Sequence, residues 1–549
     1  MNSIVLILSA IIIFLLAYKS YGGWLLKKWG VEPNRPTPAH TRNDGVDYVP
    51  AKAPILLGHH FASIAGAGPI VGPIAAAIFG WVPVFLWIVI GSIFFGGVHD
   101  MGSLFTSIRY EGKSVGEVIE HTMGRRGKRL FAIFAWLTLL LVVAAFTNIC
   151  ANTFVSVPSA ATSSLLFMGL AVIFGICVYR RGFGLGVSTV VGVILLFVCI
   201  WLGMKFPLSL SKSTWLIILL IYIFIASVTP VWILLQPRDY LNSFLLYAMM
   251  IGGFIGIVVM HPAIKLAPVT SFNVGGQYLF PMLFVTVACG AISGFHSLVG
   301  SGTSSKQLDN ERDVKLIGYG SMLIEGVLAV VAIITAAYIS KGDLAALLKN
   351  GGPVNVFSTG LGTFMDSFGI PFEIGKSFTA LAISAFALTS LDTATRLGRF
   401  IFQEFFESYK ASDKKANPLT NRFVSTAITV VLGGVLTFKG WEAIWPLFGS
   451  ANQLLAALAL LSLAVWLKKC GKEHKMATIP MVFMFAVTLA ALGLMIKDNL
   501  KLVIAGEFSK YGVLLIFSVL LTILSIVLIV EAIKSLNDKT TSVEENCKG

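Results

Sequence analysis

Apolar runs follow one another along almost the whole of this 549-residue chain. A helix needs about 17 to 25 predominantly apolar residues to cross a hydrocarbon core about 30 Å thick. Segments of roughly that length fall at 3–17, 55–73, 74–98, 130–151, 163–179, 184–204, 214–235, 241–260, 280–303, 317–340, 375–395, 423–438, 443–467, 477–496 and 511–532. The pattern predicts an all-α polytopic membrane protein of about 15 transmembrane spans. No low-complexity run or soluble domain interrupts it. The intervening pieces at 18–54, 341–374 and 396–422 read as loops or surface helices, and FQEFFESYK at 402–410 reads as an amphipathic helix on the cytoplasmic face. The first segment has no basic flank before it and no small-residue cleavage site after it, so it reads as a retained anchor.

One span departs from the pattern. HHFASIAGAGPIVGP, residues 59–73, carries three glycines and two prolines in a run otherwise apolar enough to enter a bilayer. Gly66, Gly68 and Gly72 weaken helical order, while Pro69 and Pro73 each remove an amide donor and clash with the preceding turn. Unpaired backbone in hydrocarbon costs several kcal/mol, so a broken helix at this depth must be buried in protein or line a water-filled cavity. The rest of the chain is expected to surround this break.

Charge then gives direction. If 18–54 lies inside, alternating spans place 31 of the 41 Lys and Arg on the cytoplasmic side, and the remaining ten are all lysines. The N-terminus is thereby expected outside and the C-terminus inside. A hydrophobic fraction of 56%, a charged fraction of 12% and a mean hydropathy of +0.84 exclude an ordinary soluble domain. The net charge of +14 is scattered in short clusters between spans, so no nucleic-acid partner is expected. The six cysteines show neither a disulfide framework nor metal-ligand spacing.

The break has a counterpart. IAGAGPIVG at 64–72 matches ISGFHSLVG at 292–300 at four of nine positions, and the charge count sends the two segments through the membrane in opposite directions. Paired broken helices in inverted halves suit a transporter. Half-helix N-termini present amides and a positive dipole end to an anion, and unwound carbonyls can take a cation. The expected substrate-binding positions are Gly66, Ala67, Gly68, Pro69 and Gly72 in the first break, with Ser293, Gly294, His296, Ser297 and Gly300 in the second.

Ionisable groups within spans are costly and are candidates for ion coupling. Glu325 is the deepest, eight residues into its span, about 12 Å at 1.5 Å per residue. His99 and Asp100 end the span at 74–98 and read most simply as a solvated cap, with Asp100 also a coupling candidate. His59 and His60 precede the first break and can relay protons. Thr389 and Ser390 put two hydroxyls on the span at 375–395, where with nearby carbonyls they can complete an oxygen-lined cation site. Asp392 and Arg396, four residues apart, read as an ion pair. The coupling ion is left as H+ or Na+, with no cofactor and no resident metal.

LLGHHFASIAGAGPIVGP at 56–73, preceded by NDGVDYVPAKAP at 43–54 and followed by GVHDMGSLF at 97–105, closely resembles the carbon starvation protein A (CstA) family of bacterial inner-membrane transporters. The resemblance implies uptake of peptides, or of pyruvate with a proton, during carbon limitation. It also implies distant kinship with the APC superfamily and a LeuT-like inverted repeat of five plus five helices. Seven spans rather than five separate the repeat starts, so either two helices are inserted or the chain divides into spans differently. The chain divides into an anchor helix and cytoplasmic loop at 1–54, a first repeat half with inserted helices at 55–279, an inverted second half at 280–438, and C-terminal helices with a short cytoplasmic tail at 439–549.

The expected function is a cation-coupled secondary transporter of a small carboxylate-bearing nutrient, with a small-molecule substrate and the lipid bilayer as its partners and its oligomeric state open. Two other classes stand beside it: a membrane-embedded metalloenzyme using His59, His60, His99 and Asp100, and a passive channel.

Overall fold

A computed structural model describes residues 2–44, 48–230, 234–407 and 418–537. Positions 45–47 of the polar approach, the end of the 402–410 segment and Cys547 lie outside the described residues.

The first apolar run forms α1 (Ser3–Lys19), with the Asn2 side chain accepting the Ile4 amide at its start (3.1 Å). It continues through α2 (Tyr21–Trp29) to the short α3 (Pro38–Thr41). The first broken span follows as α4 (Ala53–Ile64) and α5 (Gly68–Ala76), its two arms bent by 47°. Next come α6 (Trp81–Gly91) and α7 (Gly97–Arg109), joined by a π-helical stretch at Ser92–Gly96. Then α8 (Val115–Ser156) bends at Gly124, where φ is +79°, a conformation that glycine tolerates. Helices α9 (Pro158–Gly175), α10 (Leu185–Lys205), α11 (Lys212–Val228) and α12 (Leu235–Met260) complete the first half.

A hairpin of β1 (Asn273–Val274) antiparallel to β2 (Gln277–Tyr278), with Asn273 opposite Tyr278, leads into the second broken span, α13 (Leu279–Thr286) and α14 (Gly294–Gly302). A second π-helical stretch, Lys315–Gly320, runs into α15 (Ser321–Tyr338). The remainder is α16 (Lys341–Lys349), α17 (Gly352–Asp366), α18 (Phe372–Glu407), α19 (Arg422–Thr437), α20 (Trp441–Lys469), α21 (Lys475–Ile504) and α22 (Phe508–Asn537).

Among the described residues, eleven helices, contiguous pieces counted together, are long and apolar enough to cross a membrane, or twelve with the first broken pair. That is fewer than the fifteen expected. Helices α11 and α19, with 17 and 16 residues, fall just below the length, and the second broken span is divided into arms too short to count. Helices α15, α18 and α20 are buried almost all round, whereas α10 and α22 expose most of their surface, as lipid-facing helices do.

Three expectations are corrected. The piece at 341–374 is not a loop: it forms α16 and α17, and α17 is largely buried. The loop expected over 100–129 is mostly the ends of α7 and α8. Arg238, counted among cytoplasmic loop charges, lies inside α12 and is buried.

The loops nevertheless meet as the charge count pairs them. Lys472 Nζ donates to the Trp29 carbonyl (2.5 Å) and Arg126 pairs with Glu531 (3.3 Å), each joining segments assigned to one side. Lys439 Nζ reaches the Ser509 carbonyl (2.5 Å) and Ser3 N the Pro262 carbonyl (3.2 Å), joining segments assigned to the other.

Candidate functional site

The first break is three residues long. Helix α4 ends at Ile64, the Gly66 amide turns back onto the Ile64 carbonyl (2.8 Å), and α5 restarts with Gly68 and Pro69. The proline costs nothing there, because the first amides of a helix have no partner within it. His59 and His60 sit in the last turns of α4, Gly66 and Ala67 within the break, and Gly68, Pro69 and Gly72 in α5. The second break is longer, running from Val287 to Ser293, and Gly294, His296, Ser297 and Gly300 all lie on α14. Residues 60–74 and 285–301 are buried.

The two breaks touch. A Cβ on Gly68 would overlap the Cys289 side chain, and one on Gly72 would meet the Thr286 carbonyl at 2.7 Å. Glycine is required at these positions for close approach. Much of the unwound backbone in the second break is already paired. The Thr286, Val287 and Gly290 carbonyls accept from Trp445 Nε1, Trp87 Nε1 and Ser92 Oγ, each at 3.2 Å. At the start of α14, Ser293 adopts an extended conformation but does not cap with its own side chain. Asn452 of α20 caps it instead: its Oδ1 accepts the Phe295 amide (2.9 Å) while its Nδ2 donates to Ser293 Oγ (3.1 Å).

His296, presented by α14, lies between two carboxylates from different helices. Its Nδ1 is 2.8 Å from Asp100 Oδ2 on α7, and its Nε2 is 3.3 Å from Glu325 Oε2 on α15. His99 Nδ1 bonds the other Asp100 oxygen at 2.6 Å. All four side chains are buried, so the solvated cap expected at His99 and Asp100 is corrected. The two π-helical stretches explain how the acids arrive there. Each interrupts its span just before the ionisable residue, and π-bulges release carbonyls that a regular helix would keep. Tyr319 in one donates to the Ile93 carbonyl in the other (3.2 Å), locking the two spans together. His60 stands apart from this chain, its Nδ1 bonded to Ser304 Oγ (2.7 Å), and His59 is half-buried one residue before it.

Thr389 and Ser390 belong to a second buried cluster. Arg238 Nη1 contacts Asp392 Oδ2 and Tyr222 Oη, both at 2.5 Å, and its Nη2 reaches Thr389 Oγ1 (3.3 Å) and Asp239 Oδ1 (3.4 Å). Thr389 Oγ1 also accepts from Asn242 Nδ2 (2.9 Å) and donates to Asp239 Oδ1 (3.0 Å). The expected Asp392–Arg396 pair is therefore replaced. Arg396 instead donates to the Ala226 and Thr229 carbonyls (2.8 and 2.7 Å), satisfying the orphan C-terminal carbonyls of α11. Ser390 Oγ has no partner, and a Cβ on Gly66 would overlap it, so this shelf of α18 lies directly against the first break.

Arg238, Asp239, Tyr222, Asn242, Cys289 and Asn452 were not identified from the sequence. QPRDY at 236–240 has the composition of a loop, and only the observation that Pro237 suits a helix's first turn points the other way. Among the described residues no group of three or more His, Cys, Asp or Glu is placed to hold a metal ion. Of the residues proposed for a metal centre, His99 and Asp100 bond each other, while His60 bonds Ser304 instead. On the face where 48, 113, 306 and 404 converge, a cleft of about 380 Å³ lined by Tyr48, Lys113, Glu117, Ser301, Lys306 and Glu404 reaches the end of α14.

The family model for carbon starvation protein CstA matches residues 2–348 and 343–491. The peptide transporter CstA of Bacillus subtilis is 31% identical, with 97% of both chains covered. The pyruvate/proton symporter BtsT of Escherichia coli is 32% identical over 89% of this chain and 81% of that one. Among solved structures, the Eremococcus coleocola manganese transporter in complex with an aromatic bis-isothiourea substituted compound aligns at a TM-score of 0.50. It is 12% identical and covers 90% of this chain and 99% of that one, a likeness of fold alone. The charge pattern, the broken spans and these matches agree: this chain is a multi-pass membrane protein belonging to the CstA family, a family of transporters and not of enzymes.

Proposed function

We propose that the chain imports a small carboxylate-bearing nutrient, a peptide or pyruvate, together with a proton, by alternating access around its two broken spans during carbon limitation. In this reading the protein crosses the bacterial inner membrane fifteen times, with a LeuT-like repeat, an outside N-terminus and a cytoplasmic C-terminus. The amides at the start of α5 and α14 attract the substrate carboxylate. The cleft at Lys113 and Lys306 is its way out.

The observation that carries the proposal is the placement of His296 between Asp100 and Glu325. Both ring nitrogens face carboxylate oxygens. Either the ring holds two protons and faces two carboxylates, or it is neutral and one acid keeps a proton. In both forms the trio holds one shared proton and one net negative charge, and one further proton makes it neutral. Adding that proton removes the cost of a bare charge in a low-dielectric core, and so permits the rearrangement of α14 against α7 and α15. His296 sits on the half-helix that follows the break, so in this reading its contacts to the two acids do not persist together in the other conformation.

The test is uptake into proteoliposomes of labelled pyruvate and of labelled di- and tripeptides, with and without an imposed inside-alkaline pH gradient. Concentrative uptake of one class, abolished by a protonophore, is expected. Equilibration without concentration under every gradient would identify a passive channel instead.

A further inference from the structure

The geometry points to a binding site for the headgroup of an anionic phospholipid at Arg396, Arg399 and Arg422, on the face that the charge count assigns to the cytoplasm.

The end of α11, the last turns of α18 and the start of α19 meet there. Arg399 Nη1 donates to the Ser227 carbonyl (2.7 Å), Ser227 Oγ lies 3.4 Å from Thr426 Oγ1, and Gln403 Nε2 donates to the Thr420 carbonyl (2.7 Å). The charged neighbours of Arg399 are Arg396, half-buried, and Arg422, exposed. Elsewhere on this face arginine meets carboxylate: Arg42 pairs with Glu111, Arg109 with Glu311 and Arg126 with Glu531. Among the described residues Arg396, Arg399 and Arg422 form no such pair. Arg396 and Arg399 bond backbone carbonyls, and their Nε atoms are buried without an acceptor. The acids that act on Arg396, Asp392 and Asp239, already face Arg238. Guanidinium groups stay charged in proteins and their planar fork matches a phosphate, so three of them gathered without a carboxylate favour an anion from outside. Helix α19 begins at Arg422 and adds its positive dipole end.

The apolar surface beside the arginines selects a lipid over a soluble phosphate. Arg399 and Arg422 lie over the rings of Phe400 and Phe423, at 4.3 and 4.8 Å, and both rings are exposed. Helices α11 and α19 pack together where a Cβ on Gly434 would meet Leu220 at 3.0 Å. Ile221 and Ile225 on the first and Val424 and Val431 on the second are exposed, so apolar surface leads away from the arginines along both helices. A basic pocket between membrane helices suits an anionic headgroup, and the apolar surface beyond it suits the acyl chains.

The experiment titrates purified full-length protein in detergent with phosphatidylglycerol, phosphatidylcholine or glycerol phosphate, reading the melting midpoint and, by native mass spectrometry, the lipid retained. Wild type should gain several degrees with phosphatidylglycerol and keep it bound, and should respond to neither of the others. Arg422→Gln removes an exposed side chain that the fold does not use, and should weaken the apparent affinity for phosphatidylglycerol about tenfold, the loss of one charge-assisted contact. Arg42→Gln, which removes a paired arginine from the same face, should leave that affinity unchanged. An equal gain from phosphatidylcholine would overturn the site, and so would an Arg422→Gln affinity equal to wild type or an Arg42→Gln loss as large as that of Arg422→Gln. A gain from glycerol phosphate equal to that from the lipid would make the ligand a soluble anion and overturn the assignment to lipid. Failure of the transport proposal would appear in the uptake assay and leave these midpoints unchanged.

Discussion

Two of the buried charge clusters, one around His296 and one around Arg238, are built on opposite principles. At Asp100, His296 and Glu325 every member can gain or lose a proton, and the ring's two carboxylate contacts come from helices of different halves of the chain. At Arg238, Asp392 and Asp239 the central group cannot titrate, and it binds Tyr222 and Thr389 as well. A cluster that changes its net charge by one proton can favour two arrangements in turn. A cluster around a fixed cation has one arrangement that satisfies it. The first is suited to switching and the second to holding α11, α12 and α18 as a frame against which the breaks move.

The largest expected effect falls on the frame. Arg238→Met leaves Asp392 and Asp239 buried without a counter-charge, and breaking a buried ion pair from one side costs about 3–5 kcal/mol. Neutralising both acids as well, in Arg238→Met/Asp239→Asn/Asp392→Asn, should recover most of that loss, since a buried pair replaced on both sides is nearly neutral. Melting curves in KCl measure both variants. Equal destabilisation of the single and triple variants would remove charge balance as the reason for the cluster.

Next is the switch, where the effect should fall on transport with folding spared. Glu325→Gln keeps the shape but not the titration. An ionised group at mid-membrane costs about 2.5–3.5 kcal/mol, so losing its exchangeable proton should reduce gradient-driven uptake by about two orders of magnitude. Substrate counterflow, which needs no net proton movement, should persist, and the melting midpoint should stay near wild type. Uptake by Glu325→Gln that still follows the pH gradient would place the proton elsewhere.

How far these clusters were legible from sequence differs for the same physical reason. Glu325 stands alone in an apolar run, and an isolated charge in hydrocarbon announces itself. The first break was legible because glycine and proline act on their own backbone, and the second because its sequence repeats that of the first. Asp100 was assigned to water because it ends its apolar segment, and its burial depends on packing against α14 that no local pattern encodes. Arg238 was missed more thoroughly: with Pro237 and Asp239 beside it, it resembles a loop charge, and it contributed to the very count that oriented the chain. Asn452 acts through contacts more than 150 residues away in sequence, among them one with Cys289. The piece at 341–374 was read as loop because its apolar stretches are short, yet α17 gains its burial from neighbouring helices.

A third prediction concerns the contact between the breaks. Gly68→Ala drives a Cβ into Cys289, and overpacking of this kind costs about 1–3 kcal/mol. Uptake should fall because α5 and α13–α14 can no longer close on each other. Cys289→Gly removes both the Cβ and the sulfur that obstruct it, so Gly68→Ala/Cys289→Gly should regain uptake that Gly68→Ala lacks. If the second substitution restores nothing, the glycine is needed for its backbone and not for the approach of the two spans.

The smallest effect separates the two clusters most finely, because it reaches one of them only through a helix end. Asn452 accepts the Phe295 amide at the start of α14, the helix that carries His296 one residue later. Losing a helix N-terminal acceptor costs about 0.5–2 kcal/mol, so Asn452→Ala should lower the melting midpoint slightly. The informative readout is the pH dependence of uptake. With its first turn uncapped, α14 no longer fixes the ring against Asp100 and Glu325, so the pH at half-maximal uptake should move. A lower midpoint with an unchanged pH profile would make Asn452 a purely structural cap. A shifted profile with only that slight loss of stability would show that the switch can be disturbed while the Arg238 frame stays intact.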